Sequence, residues 1–108
     1  MSRLRVAFVT AAVLALTPLS AQAASFNCRL ADKPDEVLIC QSPELSALDD
    51  RMSSLYFTLR NRVYGLQRAA LEQQQSAWLR RRFACGRDYR CVEGAYLNQI
   101  QVLMRWGA

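Results

Sequence analysis

The chain of 108 residues carries 14 basic and 9 acidic side chains, four cysteines and no histidine. This length allows one small domain, and the modest positive charge gives no reason to expect a nucleic-acid partner. Because the chain also lacks a nucleophile elbow, a phosphate-binding glycine loop and a metal-spaced acidic cluster, an enzyme is the least supported class, and we expect no cofactor.

Residues 1–23 have the pattern of a secretory signal peptide. Arg3 and Arg5 precede an apolar run, residues 6–16, and the segment ends in the small-residue cleavage pattern Ala21-Gln22-Ala23. The apolar run is too short to span a bilayer comfortably. We therefore expect a periplasmic or secreted protein, cleaved after Ala23 or after the next alanine, with no stable membrane insertion afterwards.

The predicted mature domain, residues 24–108, loses the two leader arginines and keeps 12 basic against 9 acidic side chains, a net charge of +3. A domain this small buries only part of its surface and is marginally stable without covalent help. Because the chain is exported, we expect its four cysteines to form two disulfides: Cys28, Cys40, Cys85 and Cys91. Zinc coordination is the competing interpretation, but the cysteine spacings fit no familiar zinc finger.

Helix signals begin after an arm, residues 25–32, that has no helical period and is expected to be extended. Pro34 suits a first helical turn, and Asp35 and Glu36 complement the positive end of the helix dipole. These residues predict a short first helix that leads into Cys40. Such a helix is too short to persist alone, so a Cys28–Cys40 disulfide would hold the arm against it.

A second, long helix is predicted to start at Ser42-Pro43-Glu44, which provide an N-cap, a proline at the first helical position and an acid in the first turn. Apolar residues then recur at steps of three and four and predict its core face, with Tyr56 at the border: Leu45, Leu48, Met52, Leu55 and Leu59. Gly65 is expected to end this helix in a tight reversal, which makes helices two and three antiparallel neighbours. The alternative is one continuous helix dented at Gly65.

The third helix is predicted over about residues 68–84 and carries an unusual face. Gln75, Trp78, Arg82 and Cys85 follow one another at helical spacing, so an amide, an indole, a guanidinium and a thiol lie on one side. The amide and the guanidinium would be costly to bury unless other segments supply hydrogen-bond partners.

Partners for that face are expected on the neighbouring helices. If the chain reverses at Gly65, Asp49 comes level with Arg82, and we expect the two side chains to form an ion pair. Gln75 is expected to hydrogen-bond nearby, and Trp78 to pack against Tyr56 or Tyr96. The rival interpretation places Arg82 on an exposed ligand-binding patch with its two neighbours in sequence, Arg80 and Arg81.

The last helix is predicted to start at Asp88, a plausible cap, and to run almost to the C-terminus. Cys85 and Gly86 end the third helix, so Cys85 and Cys91 flank a short connection and are expected to pair. The predicted fold is therefore all-α: a small disulfide-stapled domain with a short N-terminal helix and antiparallel helices in a bundle or hairpin arrangement.

These segments together resemble one known family. The order and spacing of Leu45-x-x-Leu48-Asp49, Tyr56, Gln75-x-x-Trp78-Leu79-x-x-Arg82-x-x-Cys85 and Tyr96 are similar to the N-terminal domain family of the lysozyme inhibitor LprI, over nearly all of the predicted mature chain. The resemblance implies an exported, helical, disulfide-linked bacterial protein and, from the family's name, inhibition of lysozyme. Gln99 stands where that family often has an arginine.

Two functions are weighed from these observations. The first is a lysozyme inhibitor that binds its target, or another envelope or host protein, directly. Since common animal lysozymes are basic, a domain of net charge +3 needs a local acidic patch, and its candidates are Asp32, Asp35, Glu36, Glu44, Asp49 and Asp50. The second is an envelope structural or binding module that recognises anionic glycan, lipid or protein through two arginine clusters: Arg60, Arg62 and Arg68, and Arg80, Arg81 and Arg82. The oligomeric state is left open.

Overall fold

The computed structural model describes residues 22–23 and 25–106. Two short strands, β1 (Gln22–Ala23) and β2 (Phe26–Asn27), pair antiparallel. Four helices follow and form an all-α domain: α1 (Pro34–Gln41), α2 (Pro43–Arg60), α3 (Gly65–Ala84) and α4 (Tyr89–Trp106). The predicted leader, apart from its last two residues, lies outside the described range.

The N-terminal arm is less extended than expected. A 3-10 turn, Cys28–Leu30, follows β2, and the Asn27 side chain accepts a hydrogen bond of 2.9 Å from the Arg29 amide at its start. The turn brings Cys28 to Cys40 of α1, with 5.8 Å between their Cα atoms. The disulfide and the asparagine cap together favour a turn over a continued strand.

Both expected disulfides are confirmed. Cys28 is bonded to Cys40, and Cys85 is bonded to Cys91 across the α3–α4 connection. No cysteine is free, so none is left to coordinate zinc. Disulfides persist in oxidising compartments, and the two bonds therefore indicate an extracytoplasmic protein.

The helix boundaries follow the local signals in the sequence. Pro34 and Pro43 each occupy the first helical position, and the Ser42 hydroxyl accepts a hydrogen bond of 3.1 Å from the Leu45 amide. Asp88 caps α4 by accepting a hydrogen bond of 3.1 Å from the Cys91 amide. Gly86 has φ of 60°, the left-handed conformation that glycine favours after the end of α3.

The chain reverses between α2 and α3, but four residues earlier than Gly65. Helix α2 ends at Arg60, and the amide of Asn61 donates to the Phe57 carbonyl at 3.1 Å. Val63 then turns back onto the core, and Gly65, with φ of 63°, is the first residue of α3. The glycine is needed because a positive φ starts the next helix, whereas the prediction placed it at the end of the previous one.

Side-chain pairs give the direction of the three long helices. From the reversal outward, α2 meets α3 through Arg60–Glu72, Met52–Gln75 and Asp49–Arg82, so the two helices are antiparallel. The pairs Gln75–Gln99 and Trp78–Ala95 show that α3 and α4 are also antiparallel. Helix α4 is therefore parallel to α2. Helix α4 packs against both partners, whereas direct contact between α2 and α3 is limited. The two helices therefore leave a cleft on the side away from α4.

The core lies around α4. The buried apolar side chains come from every helix: Ile39, Leu45, Met52, Leu59, Leu71, Trp78, Val92, Tyr96, Ile100 and Leu103. Of the apolar residues predicted to face the core from α2, Leu45, Met52 and Leu59 are buried. Leu48, Leu55 and Tyr56 are partly buried against them. Over the described residues, no helix is long and apolar enough to cross a membrane.

Candidate functional site

The guanidinium of Arg82 is the centre of a buried ionic network. Only 4% of this side chain is exposed, because Arg82 lies on the inward face of α3 together with Trp78. Its Nε donates to Asp35 Oδ2 at 2.7 Å, and its Nη1 donates to the Tyr96 hydroxyl at 3.2 Å. The guanidinium also lies 5.4 Å from the ring centroid of Phe26 and 5.6 Å from that of Trp78. Arg82 is therefore separate from Arg80 and Arg81, whose side chains are exposed.

The principal carboxylate partner differs from the one expected. Asp49 Oδ1 lies 3.9 Å from Arg82 Nη1, within ion-pair range but beyond a hydrogen bond, whereas Asp35 of α1 bonds to Arg82 directly. The short helix α1 packs against α3 at this end, and this contact brings Asp35 closer than α2 brings Asp49. Asp35 was a candidate surface contact, but its exposed fraction is 0%. It is not available to a partner protein.

Asp49 is held by other donors. The backbone amide of Ser25 donates to Oδ2 at 2.9 Å, and the Ser25 hydroxyl donates to Oδ1 at 2.6 Å. The Tyr96 hydroxyl donates to Oδ1 at 2.8 Å. Asp49 thus ties the N-terminal arm, α2 and α4 together, since Ser25 lies just before β2 and Tyr96 on α4.

Burial and the neighbouring charges together set the protonation states of Tyr96 and Arg82. Burial raises the pKa of Tyr96 well above its ordinary value, so the phenol remains a hydrogen-bond donor to Asp49. Burial acts to lower the pKa of Arg82, but interactions with Tyr96 and Asp35 outweigh it and raise the pKa, so the guanidinium stays charged.

Carboxylates outnumber cations in this network. Asp35, Glu36 and Asp49 all lie within ion-pair distance of Arg82, with Glu36 Oε2 at 3.8 Å from Nη2. In their ionised forms, the three acids and one guanidinium carry a net charge of −2. Asp35 Oδ1 has no hydrogen-bond partner within the described chain. Glu36 is the accessible acid of the three, with 19% of its side chain exposed.

Glutamine side chains join α3 to α4 beside the ionic network. Gln99 Nε2 donates to the side-chain oxygens of Gln74 and Gln75 at 2.7 and 2.8 Å, and Gln75 Nε2 donates to the Met52 sulfur at 3.2 Å. Gln99 is fully buried, and its own oxygen accepts from Gln74 at 2.8 Å. This role of Gln99 is not among the expectations from the sequence. Its place on the apolar face of α4, between Tyr96 and Ile100, is the signal that identifies it.

Trp78 packs as one of the two expected alternatives. Its ring meets Tyr96 edge to face, with 5.1 Å between the ring centroids, and its indole nitrogen donates to the Ala95 carbonyl at 2.8 Å. Tyr56 instead borders the cleft between α2 and α3. Trp78 therefore has a structural role, because both its ring and its polar nitrogen are satisfied within the domain.

The cleft between α2 and α3 has a volume of about 690 Å³. Both apolar and polar side chains line it, and the ionic network lies at its inner end: Ser25, Phe26, Glu36, Ser53, Tyr56, Phe57, Arg60, Glu72, Gln75, Ser76, Leu79 and Arg82. Ser53 is 3% exposed, and its hydroxyl has no hydrogen-bond partner within the described chain. A buried hydroxyl without a partner is uncommon and costs free energy unless a ligand or water satisfies it. The cleft is therefore the candidate binding site.

The other acidic candidates lie outside the cleft. Asp32, Glu44 and Asp50 are exposed residues that do not line it. The expected acidic N-terminal third is consequently divided by burial: Asp35 and Asp49 lie inside the fold, Glu36 faces the cleft and three acids face other surfaces. Among the described residues, no group of three or more His, Cys, Asp or Glu side chains is placed to hold a metal ion.

Comparisons with protein-family models, with curated proteins and with solved structures found no match to this chain. The resemblance to the LprI N-terminal domain family therefore stays a prediction from the sequence.

Proposed function

We propose that the protein is an exported binding module that inhibits a lysozyme by direct contact, and that the cleft between α2 and α3 is the contact site. The observation that carries the proposal is the cleft itself, which has exposed apolar side chains at its mouth and ends at a network in which three carboxylates surround one guanidinium. The family resemblance points to lysozyme as the target. A signal peptide would export the chain to the periplasm or the medium, where such a target is met.

The mouth of the cleft suits a protruding side chain of a partner. Phe57 is 50% exposed and Leu79 is 38% exposed, and they lie on facing helices with Tyr56 beside them. Exposed aromatic and aliphatic side chains around a pocket are the usual anchors of a protein interface. The two disulfides tie the N-terminal arm to α1 and α3 to α4 at the end of the domain that holds the ionic network, so docking orders few additional residues.

Charge favours a basic side chain as the occupant. The whole domain, at +3, gives no long-range attraction for a basic lysozyme, so any complementarity is local. At the inner end of the cleft, Glu36 is accessible, and Asp35 and Asp49 lie behind it. Together the ionised carboxylates carry more negative charge than the guanidinium of Arg82 balances. A lysine or arginine of the partner would approach Glu36 while its alkyl stem contacts Tyr56 and Phe57.

A blocking substitution tests the cleft. Ser76 is exposed and lines it, so Ser76→Arg adds bulk and positive charge without removing a packing contact. We expect the inhibition constant, measured as loss of muralytic activity in a titration with purified protein, to rise at least about tenfold. Gln101→Arg is the matched control, because it adds the same side chain at an exposed position of α4 away from the cleft. Equal inhibition by both variants would exclude the cleft.

A second pair of variants tests the charge. Glu36→Gln removes the accessible carboxylate at the inner end of the cleft, and Asp32→Asn removes an exposed one outside the cleft. We expect weaker inhibition from the first variant alone. Equal weakening by both would favour a wide acidic patch instead of the cleft. If the unmodified protein at large molar excess leaves several types of lysozyme fully active, the proposed function itself is refuted.

A further inference from the structure

The connection between α2 and α3 and the first turn of α3 each expose one large apolar side chain, Tyr64 and Leu66. Leu66 is 89% exposed and Tyr64 is 81% exposed, the highest values for large apolar residues in the described part of the chain. The backbone before these residues is held in place, because Val63 packs against the core and its amide donates to the Leu59 carbonyl at 3.1 Å. Neither exposed side chain contributes to that packing. Their exposure therefore needs a reason outside the fold of the domain.

The surroundings of these two side chains are basic. No acidic residue occurs between Asp50 and Glu72, whereas that stretch contains four arginines. Glu72, the nearest acid in sequence to both Arg62 and Arg68, is engaged by Arg60 at 2.7 Å. The first turn of α3 contains no acid either, so the positive end of its dipole adds to the same potential.

Helix α4 brings a further positive charge to this end of the molecule. Because α4 runs parallel to α2, its last turn, with Arg105 and Trp106, lies at the end where α2 reaches Arg60. We call residues 60–68 and Arg105 the basic tip. Its four arginines give +4, while the other eight basic and nine acidic side chains of residues 25–106 sum to −1. The net charge of the domain is thus concentrated at the tip.

We propose that the basic tip docks on the surface of a membrane rich in anionic phospholipid. Tyr64 and Leu66 enter the boundary between headgroups and acyl chains, and Arg62, Arg68 and Arg105 meet the lipid phosphates. A combination of exposed apolar side chains with flanking arginines is the pattern of proteins that lie on an anionic bilayer without crossing it. The tip is at the opposite end of α2 from the ionic network, so this docking leaves the inner end of the cleft accessible, although Arg60 belongs to both the tip and the cleft lining. The docking does not rest on the proposed lysozyme binding.

Vesicle flotation tests this docking with the protein isolated after export and with both disulfides formed. We expect the protein to float with vesicles of equal parts phosphatidylglycerol and phosphatidylcholine but not with pure phosphatidylcholine vesicles. High salt should weaken the association, because it screens the arginine–phosphate attraction. No flotation with the anionic vesicles, or equal flotation with both, would overturn the proposal.

Paired substitutions distinguish binding through the tip from non-specific hydrophobic binding to vesicles. Tyr64→Ser combined with Leu66→Ser should lower the vesicle binding constant at least about tenfold. Leu30→Ser is the apolar control, since Leu30 is 77% exposed on the N-terminal arm, and it should have no effect. If the apolar pair leaves binding unchanged, or if the control lowers it equally, the tip is not the docking surface.

The arginines are tested in the same assay. Arg62→Gln combined with Arg68→Gln should reduce binding by about fivefold for each arginine removed. The exposed pair Arg80→Gln with Arg81→Gln lowers the net charge equally at the other end of the domain and should leave most of the binding. An equal loss from both pairs would indicate attraction to the whole protein and would refute a site at the tip.

Discussion

Replacing Arg82 by alanine should destabilise the domain more than any exposed charge substitution. Arg82 is 4% exposed and lies within 4.0 Å of three carboxylates, two of which have no solvent access. Removing the guanidinium leaves Asp35 and Asp49 buried without a cation. Breaking a buried ion pair from one side typically costs about 3–5 kcal/mol, because the remaining charge is stranded.

The expected loss is large on the scale of this domain. For a domain of 60–100 residues, 1 kcal/mol corresponds to a shift of about 4–8 °C in melting temperature, so Arg82→Ala should lower Tm by at least about 12 °C. Thermal unfolding followed by circular dichroism, with the disulfides intact, measures this shift. Arg81→Ala is the matched control, because the neighbouring arginine is exposed and its loss should change stability by no more than about 0.5 kcal/mol.

A double substitution gives a sharper test of the same reasoning. Asp35→Ala alone should also destabilise the domain, since it removes the direct partner of Arg82. The combined variant should lose less than the sum of the two single losses, because neither charge is then left without the other. Additive losses, or a small effect of Arg82→Ala together with lost partner binding, would show that Arg82 acts at a surface and not within the fold.

Three further predictions concern the groups around the network. Burial raises the pKa of Tyr96 above its ordinary value of about 10, so this phenol should lower the free energy of unfolding only above that pH, by about 1.4 kcal/mol per pH unit. Denaturant unfolding of wild type and Tyr96→Phe at several alkaline pH values measures this loss. Parallel stability curves for the two proteins would contradict the prediction. Replacing both Cys28 and Cys40 by serine should lower the free energy of unfolding by about 3 kcal/mol, as expected for a loop of this length, and an unchanged denaturation midpoint would refute it. Ser42→Ala should cost about 1 kcal/mol in the same assay, because the Leu45 amide loses its acceptor at the α2 N-cap, and a midpoint that does not move would contradict this role.

Only part of the ionic network could be predicted from the sequence. The inward face of Gln75, Trp78 and Arg82 was predictable, because helical spacing alone places them together. The partner of Arg82 was not predictable in the same way. A reversal at Gly65 places Asp49 level with Arg82, but it gives no information about where α1 packs. The packing of α1 against α3 brings Asp35 to Arg82.

Local chemistry explains why the sequence by itself determined most of the fold. Prolines at first helical positions, the Ser42 and Asp88 caps and glycine at the left-handed turn act within a few residues of themselves, so the sequence contains their full cause. The disulfide pairing belongs to the same class, because each bond joins cysteines that are close in the chain.

Only the tertiary structure decided which polar groups are buried and where the surface opens. Helix α4 packs between α2 and α3 and separates them on one side, which creates the cleft and turns Ser53 toward it. The burial of Gln99 and the concentration of net charge at the basic tip arise in the same way, from the relative placement of helices distant in sequence. Periodicity gives each helix its own apolar face, but the surface that covers this face depends on contacts between segments that no local pattern encodes.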